Sequence, residues 1–302
     1  MDKSIAVTGA LGFIGSAMVQ HLKDNGFNNI ISVDKHNMYS FLENSNIDAI
    51  IHLGACTDTT EFDYSIHEEL NVEHPKKIWK YATEHNIPLI YASSAATYGD
   101  GEYGYEDLHS IIFKLQPLNP YGVSKNEFDK WAVAQLTKPK YWTGLKFFNV
   151  YGHNESHKGK MASMVYHTYN QIKETGKVKL FKSYKHEYKD GGQLRDFVYV
   201  KDVVNVIHWM LTEMLESKWS RDGLYNIGTG RTASFFSLAY DVFQALKLEP
   251  NIEYIDMPKD IQTKYQYYTR ANMIKLFSNG YEKPFTRLED GIYDYVINYL
   301  NK

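Results

Sequence analysis

Short apolar, β-branched runs alternate with amphipathic stretches along the first half of the chain. SIAVT precedes IGSAMVQHLKDNG, NIISV precedes a short polar helix predicted in HNMYSFLENSN, and DAIIHLG precedes a long helical pattern, with PLIYAS and YWTGLKFF following. Continuous apolar strands separated by helices predict a parallel sheet covered on both faces. After Asn149 the rhythm loosens into the helical MASMVYHTYNQIKETG and the polar loop SYKHEYKDGGQL, and then DFVYVKDVVNVIHWMLTEM restores a strand and helix. The pattern predicts a doubly wound α/β domain from residues 1–150 plus about 196–228. A smaller α/β domain is expected from about 151–195 and 229–302.

Composition narrows the partners. With 302 residues, 43% of them hydrophobic, the chain can bury a substantial core. Lys and Arg number 33 against 36 Asp and Glu, and no basic stretch suggests nucleic acid or an anionic membrane, so a small-molecule partner is expected. The single cysteine, Cys56, excludes an intrachain disulfide framework and suits a reducing compartment, which makes the cytoplasm the expected address. The opening MDKSIAVTGALGFIG interrupts its apolar run with glycines, unlike a signal peptide or a membrane span.

Gly9, Gly12 and Gly15 follow the strand SIAVT directly and enter a helix near Phe13. A tight strand-to-helix turn needs backbone without Cβ, and it presents helix amides to a pyrophosphate whose charge the helix dipole favours. Asp34 closes the next strand, where a carboxylate can reach an adenosine ribose. Together these features predict a Rossmann-type dinucleotide site. Lys35 can neutralise a ribose 2′-phosphate there, which favours NADP and leaves NAD open.

Tyr121 and Lys125 stand four apart at the start of a helix opened by Asn119-Pro120, so they share a face. A phenol of ordinary pKa about 10 is a poor base at neutral pH, and bringing it to about 7 requires roughly 4 kcal/mol of stabilisation of the phenolate. Lys125 and the helix amino terminus are expected to push that way. Ser94, ending PLIYAS, offers a hydroxyl to orient a substrate alcohol.

The glycine spacing, with Thr8 and Phe13-Ile14-Gly15, resembles the extended short-chain dehydrogenase/reductase family, and Ser94, Tyr121 and Lys125 look like its catalytic triad. In the family's sugar-nucleotide dehydratases an Asp-Glu pair follows the serine or threonine. This chain has Ala95-Ala96, which favours an epimerase or oxidoreductase. FNVYG followed by HKGKMAS resembles the ADP-L-glycero-D-manno-heptose 6-epimerases in particular, and GACTDTTEFD, NPYGVSK, RDFVYVKDV, NIGTGRT, KYQYYT and GYEKPF extend the likeness almost to the last helix.

The resemblance implies an isomerase with tightly bound NADP or NAD that inverts carbon six through a transient ketone, with Tyr121 and Lys158 as acid/base groups on its opposite faces. It implies cofactor contacts from Gly9, Gly12, Phe13, Ile14, Gly15, Asp34, Lys35, Leu53, Gly54, Ala55, Cys56, Thr57, Asn71, Lys125 and Val150. Substrate contacts fall to Ser94, Asn149, Lys160, His167, Phe181, Arg195 and Tyr265. It implies self-association and no metal.

The chain also departs from its relatives. The stretch between Asp34 and Ala49 is too short for the usual edge strand, Lys160 replaces a typical serine, and SYKHEYKDGGQL is longer and richer in charge. The alternatives are another sugar-nucleotide epimerase or dehydrogenase of the same fold, and a non-catalytic dinucleotide-binding sensor.

Overall fold

The structure is a computed structural model that describes residues 2–43, 46–262 and 265–302. Asn44 and Ser45 of the HNMYSFLENSN segment and Lys264 of KYQYYT lie outside the described residues. The predicted strands form β1 (Ser4–Thr8), β2 (Asn29–Val33), β3 (Ala49–His52), β4 (Leu89–Ser94) and β5 (Trp142–Phe147). With β10 (Gly223–Ile227) they make one six-stranded sheet in the order β10-β5-β4-β3-β1-β2, every pairing parallel. β1, β3, β5 and β10 are buried along their whole length, whereas Asn29 and Ser32 of β2 are exposed, as suits an outer strand.

The helices α1 (Phe13–Asp24), α2 (Tyr64–Glu68), α3 (His74–Glu84), α4 (Pro120–Ala134) and α5 (Met164–Thr175) follow in turn, with α6 (Val200–Leu215) leading to β10 and α7 (Phe235–Ala245) after it. A π-helical turn, Glu69–Glu73, joins α2 to α3. Three two-stranded ribbons lie outside the main sheet. They pair β6 (Asn149–Tyr151) with β9 (Phe197–Tyr199), β7 (Val178–Phe181) with β12 (Ile252–Ile255), and β8 (Leu194–Arg195) with β11 (Ala233–Ser234).

The described residues between Asp34 and β3 contain no strand, so the doubly wound sheet lacks the further edge strand. Nor do they form the expected short helix; they make hydrogen-bonded turns, in which the amides of Ser40 and Phe41 donate to the Asn37 carbonyl. The Asn37 side chain accepts from the Asp34 amide at 2.8 Å and donates to the Ser32 carbonyl at 3.2 Å, competing locally with helix formation. Phe41 folds under these turns into the core. No helix among the described residues is long and apolar enough to cross a membrane.

Candidate active site

The strand order reverses between β1 and β3, and parallel sheets bind ligands at the carboxyl ends of strands beside such a reversal. Gly9 sits there at φ 67°, and a Cβ on it would lie 2.7 Å from the Gly54 amide nitrogen. A Cβ on Gly15 would come within 1.9 Å of the Gly9 carbonyl, so α1 can approach the turn only with glycine at that position. The first turn of α1 carries no acidic residue. An anion can therefore meet its free amides without repulsion.

A cavity of about 310 Å³ opens beside this turn, and Gly9, Gly12, Asp34, Lys35, Gly54 and Ala55 line it. His36, Met38, Leu70 and His74 complete its wall. His74 Nε2 lies 2.7 Å from the Met38 carbonyl, a contact that fixes the turn segment where the edge strand is missing. The cradle, the carboxylate and the adjacent cation together fit the adenosine half of a dinucleotide.

A second cavity, about 440 Å³, continues past Phe13, Ile14, Leu53, Ala55 and Thr57 to Ser94, Tyr121 and Lys125, and also receives Asn149, Val150, Lys158 and Arg195. Three cations line it, and no Asp or Glu is among its described lining residues. Ala95 and Ala96 are part of its wall, so the two positions after Ser94 present no acid to it.

Tyr121 reaches Ser94 for local reasons. Asn119 caps α4 by accepting the Gly122 amide at 2.8 Å, Pro120 opens the helix, and a Cβ on Gly122 would sit 2.8 Å from the Ala96 carbonyl. The helix entrance thus packs directly on the turn after β4, and Ser94 hydrogen-bonds the Tyr121 hydroxyl. Ser94 Oγ also accepts the Ala96 amide at 3.1 Å.

The electrostatics correct one expectation. Burial pushes the Tyr121 phenol above its ordinary pKa, and the Ser94 bond offsets this in part. Lys125 does not depress it; its ammonium donates to the Ala92 carbonyl at 3.0 Å, and burial lowers its own pKa to about 8. The chain alone therefore leaves Tyr121 a neutral phenol, and further positive charge at the site is required to make it a base.

Lys158 also reaches the cavity. Its Nζ lies 5.4 Å from the centre of the Phe13 ring, and burial lowers its pKa while Glu155 opposes the shift. Glu155, 1% exposed, holds the loop on which Lys158 sits: its carboxylate accepts the Gly152 amide at 3.3 Å, the Ser163 amide at 2.5 Å and the Ser163 hydroxyl at 2.7 Å. Arg195 is buried between the rings of Phe235 and Tyr265, 5.6 and 5.5 Å from their centres, and donates to the carbonyls of Leu194 and Gln266. Asp196 and Asp202 are taken up elsewhere, by Thr229, Gly230 and Ala271 and by Thr286. No carboxylate pairs with Arg195 among the described residues.

Other expected contacts lie away from the cavity walls. Lys160 is exposed, and its carbonyl is 3.3 Å from His167 Nε2. Phe181 packs edge-on against Tyr265 at 6.2 Å, and Tyr265 in turn faces Arg195. Asn71 brackets Cys56, accepting its amide and donating to its carbonyl at 2.9 Å each, and donates to Ser124 Oγ at 3.0 Å. It braces the loop after β3 against α4. Sequence reasoning missed Thr59, Met161, Phe235, Gln266 and Thr269 as lining residues, since none carries a spacing signal.

Comparison with known proteins agrees with this geometry. Residues 5–228 match the NAD dependent epimerase/dehydratase family, and the chain belongs to it. Within that family it is similar to the ADP-L-glycero-D-manno-heptose-6-epimerases. It is 47% identical to the one from Fusobacterium nucleatum subsp. nucleatum over 331 residues, covering 99% of this chain and 98% of the relative. It is 41% identical to that of Nitratidesulfovibrio vulgaris strain DP4, covering 97% of each.

Among solved structures, the Helicobacter pylori ADP-L-glycero-D-manno-heptose-6-epimerase superposes with a TM-score of 0.81 at 24% identity, covering 98% of this chain and 96% of its own. The Thermus thermophilus UDP-glucose 4-epimerase complex with NAD gives 0.76 at 22% identity, covering 97% of each chain. Both have the same fold. The chain is thus an isomerase of the epimerase type, in a family built around a nicotinamide dinucleotide.

Proposed function

We propose that the chain inverts carbon six of ADP-D-glycero-D-manno-heptose through a transient 6-keto sugar. The observation that carries the reading is that Tyr121 and Lys158 line one cavity that has no carboxylate among its described lining residues. Two proton-transfer groups without an elimination acid suit epimerisation better than loss of water. The named relatives, at 36–47% identity over nearly the whole chain, supply the sugar and nucleotide.

In this reading the glycine turn and α1 hold the pyrophosphate of the dinucleotide, Asp34 its adenosine ribose, and Lys125 its nicotinamide ribose. A nicotinamide held there would supply reversible hydride acceptance at the carbinol carbon and, in its oxidised form, a positive charge that favours the Tyr121 phenolate. Ser94 orients the carbinol hydroxyl. One of Tyr121 and Lys158 removes the hydroxyl proton; after the ketone has turned over, the other protonates the alkoxide on the opposite face. Arg195, lacking a carboxylate partner among the described residues, binds the diphosphate of the substrate. Asn149 contacts the sugar, while Lys160, His167, Phe181 and Tyr265 act at the edge of the substrate site or through Arg195.

Lys35 beside Asp34 in the adenosine cavity supports NADP over NAD. The return of β10 to the main sheet supports a dinucleotide domain of residues 1–150 and about 196–228, with the β7–β12 and β8–β11 ribbons serving the substrate domain and the β6–β9 ribbon at the junction. A cytoplasmic, self-associating enzyme fits the single cysteine and the nucleotide-sugar substrate. The test is to incubate the purified protein with ADP-D-glycero-D-manno-heptose and resolve the two epimers. Conversion supports the assignment, and its absence alongside turnover of another nucleotide sugar would move the chain to a different substrate.

A further inference from the structure

Asp129 on α4 and Lys146 on β5 form an ion pair at 2.6 Å in which neither side chain has any exposed surface. Removing two charges from water is costly, and well-packed apolar residues often serve stability as well or better. Stability alone therefore does not account for the pair.

Its remaining bonds have a direction. Asp129 accepts the Tyr91 hydroxyl at 3.0 Å and the Ser93 hydroxyl at 2.7 Å, both from β4. Lys146 donates to Thr97 Oγ1 at 2.7 Å, and Thr97 donates to the Ser94 carbonyl at 2.7 Å. The bonds thus grip the chain on both sides of Ser94. Asp129 stands one helical turn beyond Lys125 and two beyond Tyr121, and Lys146 lies directly opposite Ser93 in the sheet. One ion pair connects the strand that carries Ser94, the helix that carries Tyr121 and Lys125, and the strand that leads to Asn149. Neither partner is among the lining residues of the cavity.

We propose that Asp129 and Lys146 are positioning residues for the reaction centre, holding Ser94 on β4 at hydrogen-bonding distance from Tyr121 on α4. The inference rests on the proposed function only in taking those two hydroxyls as reacting groups. Asp129 also opposes the downward effect of burial on Lys125, so its charge acts on the same face of the helix.

Two variants test this. The double variant Asp129→Leu/Lys146→Met removes both charges and keeps the core apolar, and Thr97→Val cuts the link to Ser94 with little change of volume. Epimerisation kinetics are measured together with the Tyr121 titration, followed by NMR of ζ-13C-tyrosine protein with Tyr121→Phe assigning the signal. In the double variant kcat should fall at least about 30-fold with KM within about threefold, because a displacement of about 1 Å can cost about a hundredfold in rate. Thr97→Val should lose about five- to tenfold in kcat. In Thr97→Val, which keeps the Asp129 charge, the Tyr121 titration should move to higher pH as the Ser94 bond weakens. In the double variant the loss of the Asp129 carboxylate, which itself raises the pKa of the phenol, opposes that movement, so kcat is the readout there.

A folded double variant with wild-type kcat, or Thr97→Val with wild-type kcat and an unmoved Tyr121 titration, would overturn the proposal. Should the double variant not fold, Thr97→Val decides by the same two readouts. If the wild-type protein does not turn over the heptose, the substrate assignment fails, while the Tyr121 titration still judges the positioning role.

Discussion

Lys158 holds its ammonium over the ring of Phe13, which docks the loop after β6 on the first turn of α1. The second proton-transfer group is thereby anchored to the dinucleotide cradle. Lys158→Met keeps the length and apolar contact of the side chain and removes its proton. Epimerisation should fall by about a hundredfold or more, while affinity for NADP stays within about threefold. Calorimetric titration with the dinucleotide and steady-state rates separate the two effects, and a fully active variant would remove Lys158 from the mechanism.

Glu155 both closes this loop and favours the charged form of Lys158. The carboxylate opposes the lowering that burial imposes on the lysine. Glu155→Gln removes that opposition, so the pKa of Lys158 should fall further. The step that needs Lys158 as an acid should then fail at a lower pH, moving the alkaline limb of the kcat profile toward neutrality. A profile that keeps its alkaline limb in place would show that Glu155 acts through loop geometry alone.

Lys125 provides a pH test of the cofactor site. Burial sets it near 8, below the ordinary 10.5, so between these values the free protein has largely given up the proton. Binding an anionic dinucleotide favours the charged form and must take the proton back. Calorimetry at about pH 9 in two buffers of different ionisation enthalpy should reveal net uptake of up to about one proton. Uptake should be absent in Lys125→Met, and affinity should weaken as pH rises through about 8. The same titrations compare NADP with NAD: tighter binding of NADP, erased by Lys35→Ala, is expected.

Arg195 lies within 5.6 Å of the ring centres of Phe235 and Tyr265, with no carboxylate partner among the described residues. Arg195→Lys keeps the charge but loses the planar fork that can bind two phosphate oxygens at once. KM for the sugar nucleotide should rise about tenfold or more with cofactor affinity unchanged. An unaltered KM would assign the diphosphate to another group.

Much of this site was legible because its chemistry is local in sequence. Gly9, Gly12 and Gly15 occupy one turn, and Tyr121 and Lys125 lie one helical turn apart, so spacing alone places them. The missing edge strand was visible as missing length. Asp129 and Lys146 were not legible, because their meaning comes from a sheet register that sets Lys146 beside Ser93. His74 closes the adenosine cavity through a contact with Met38, thirty-six residues earlier. The direction of the Tyr121 shift was misjudged for a related reason: the sequence places Lys125 near it, but only the fold shows that the ammonium is turned to Ala92 and that burial dominates.

The most direct test of the account is to run the reaction on ADP-D-glycero-D-manno-heptose in deuterated water and read carbon six by proton NMR. A hydride that leaves and returns within the site predicts inversion with a proton still on that carbon. Deuterium at carbon six would contradict the oxidation and reduction sequence, and no inversion at all would contradict the assignment of the substrate.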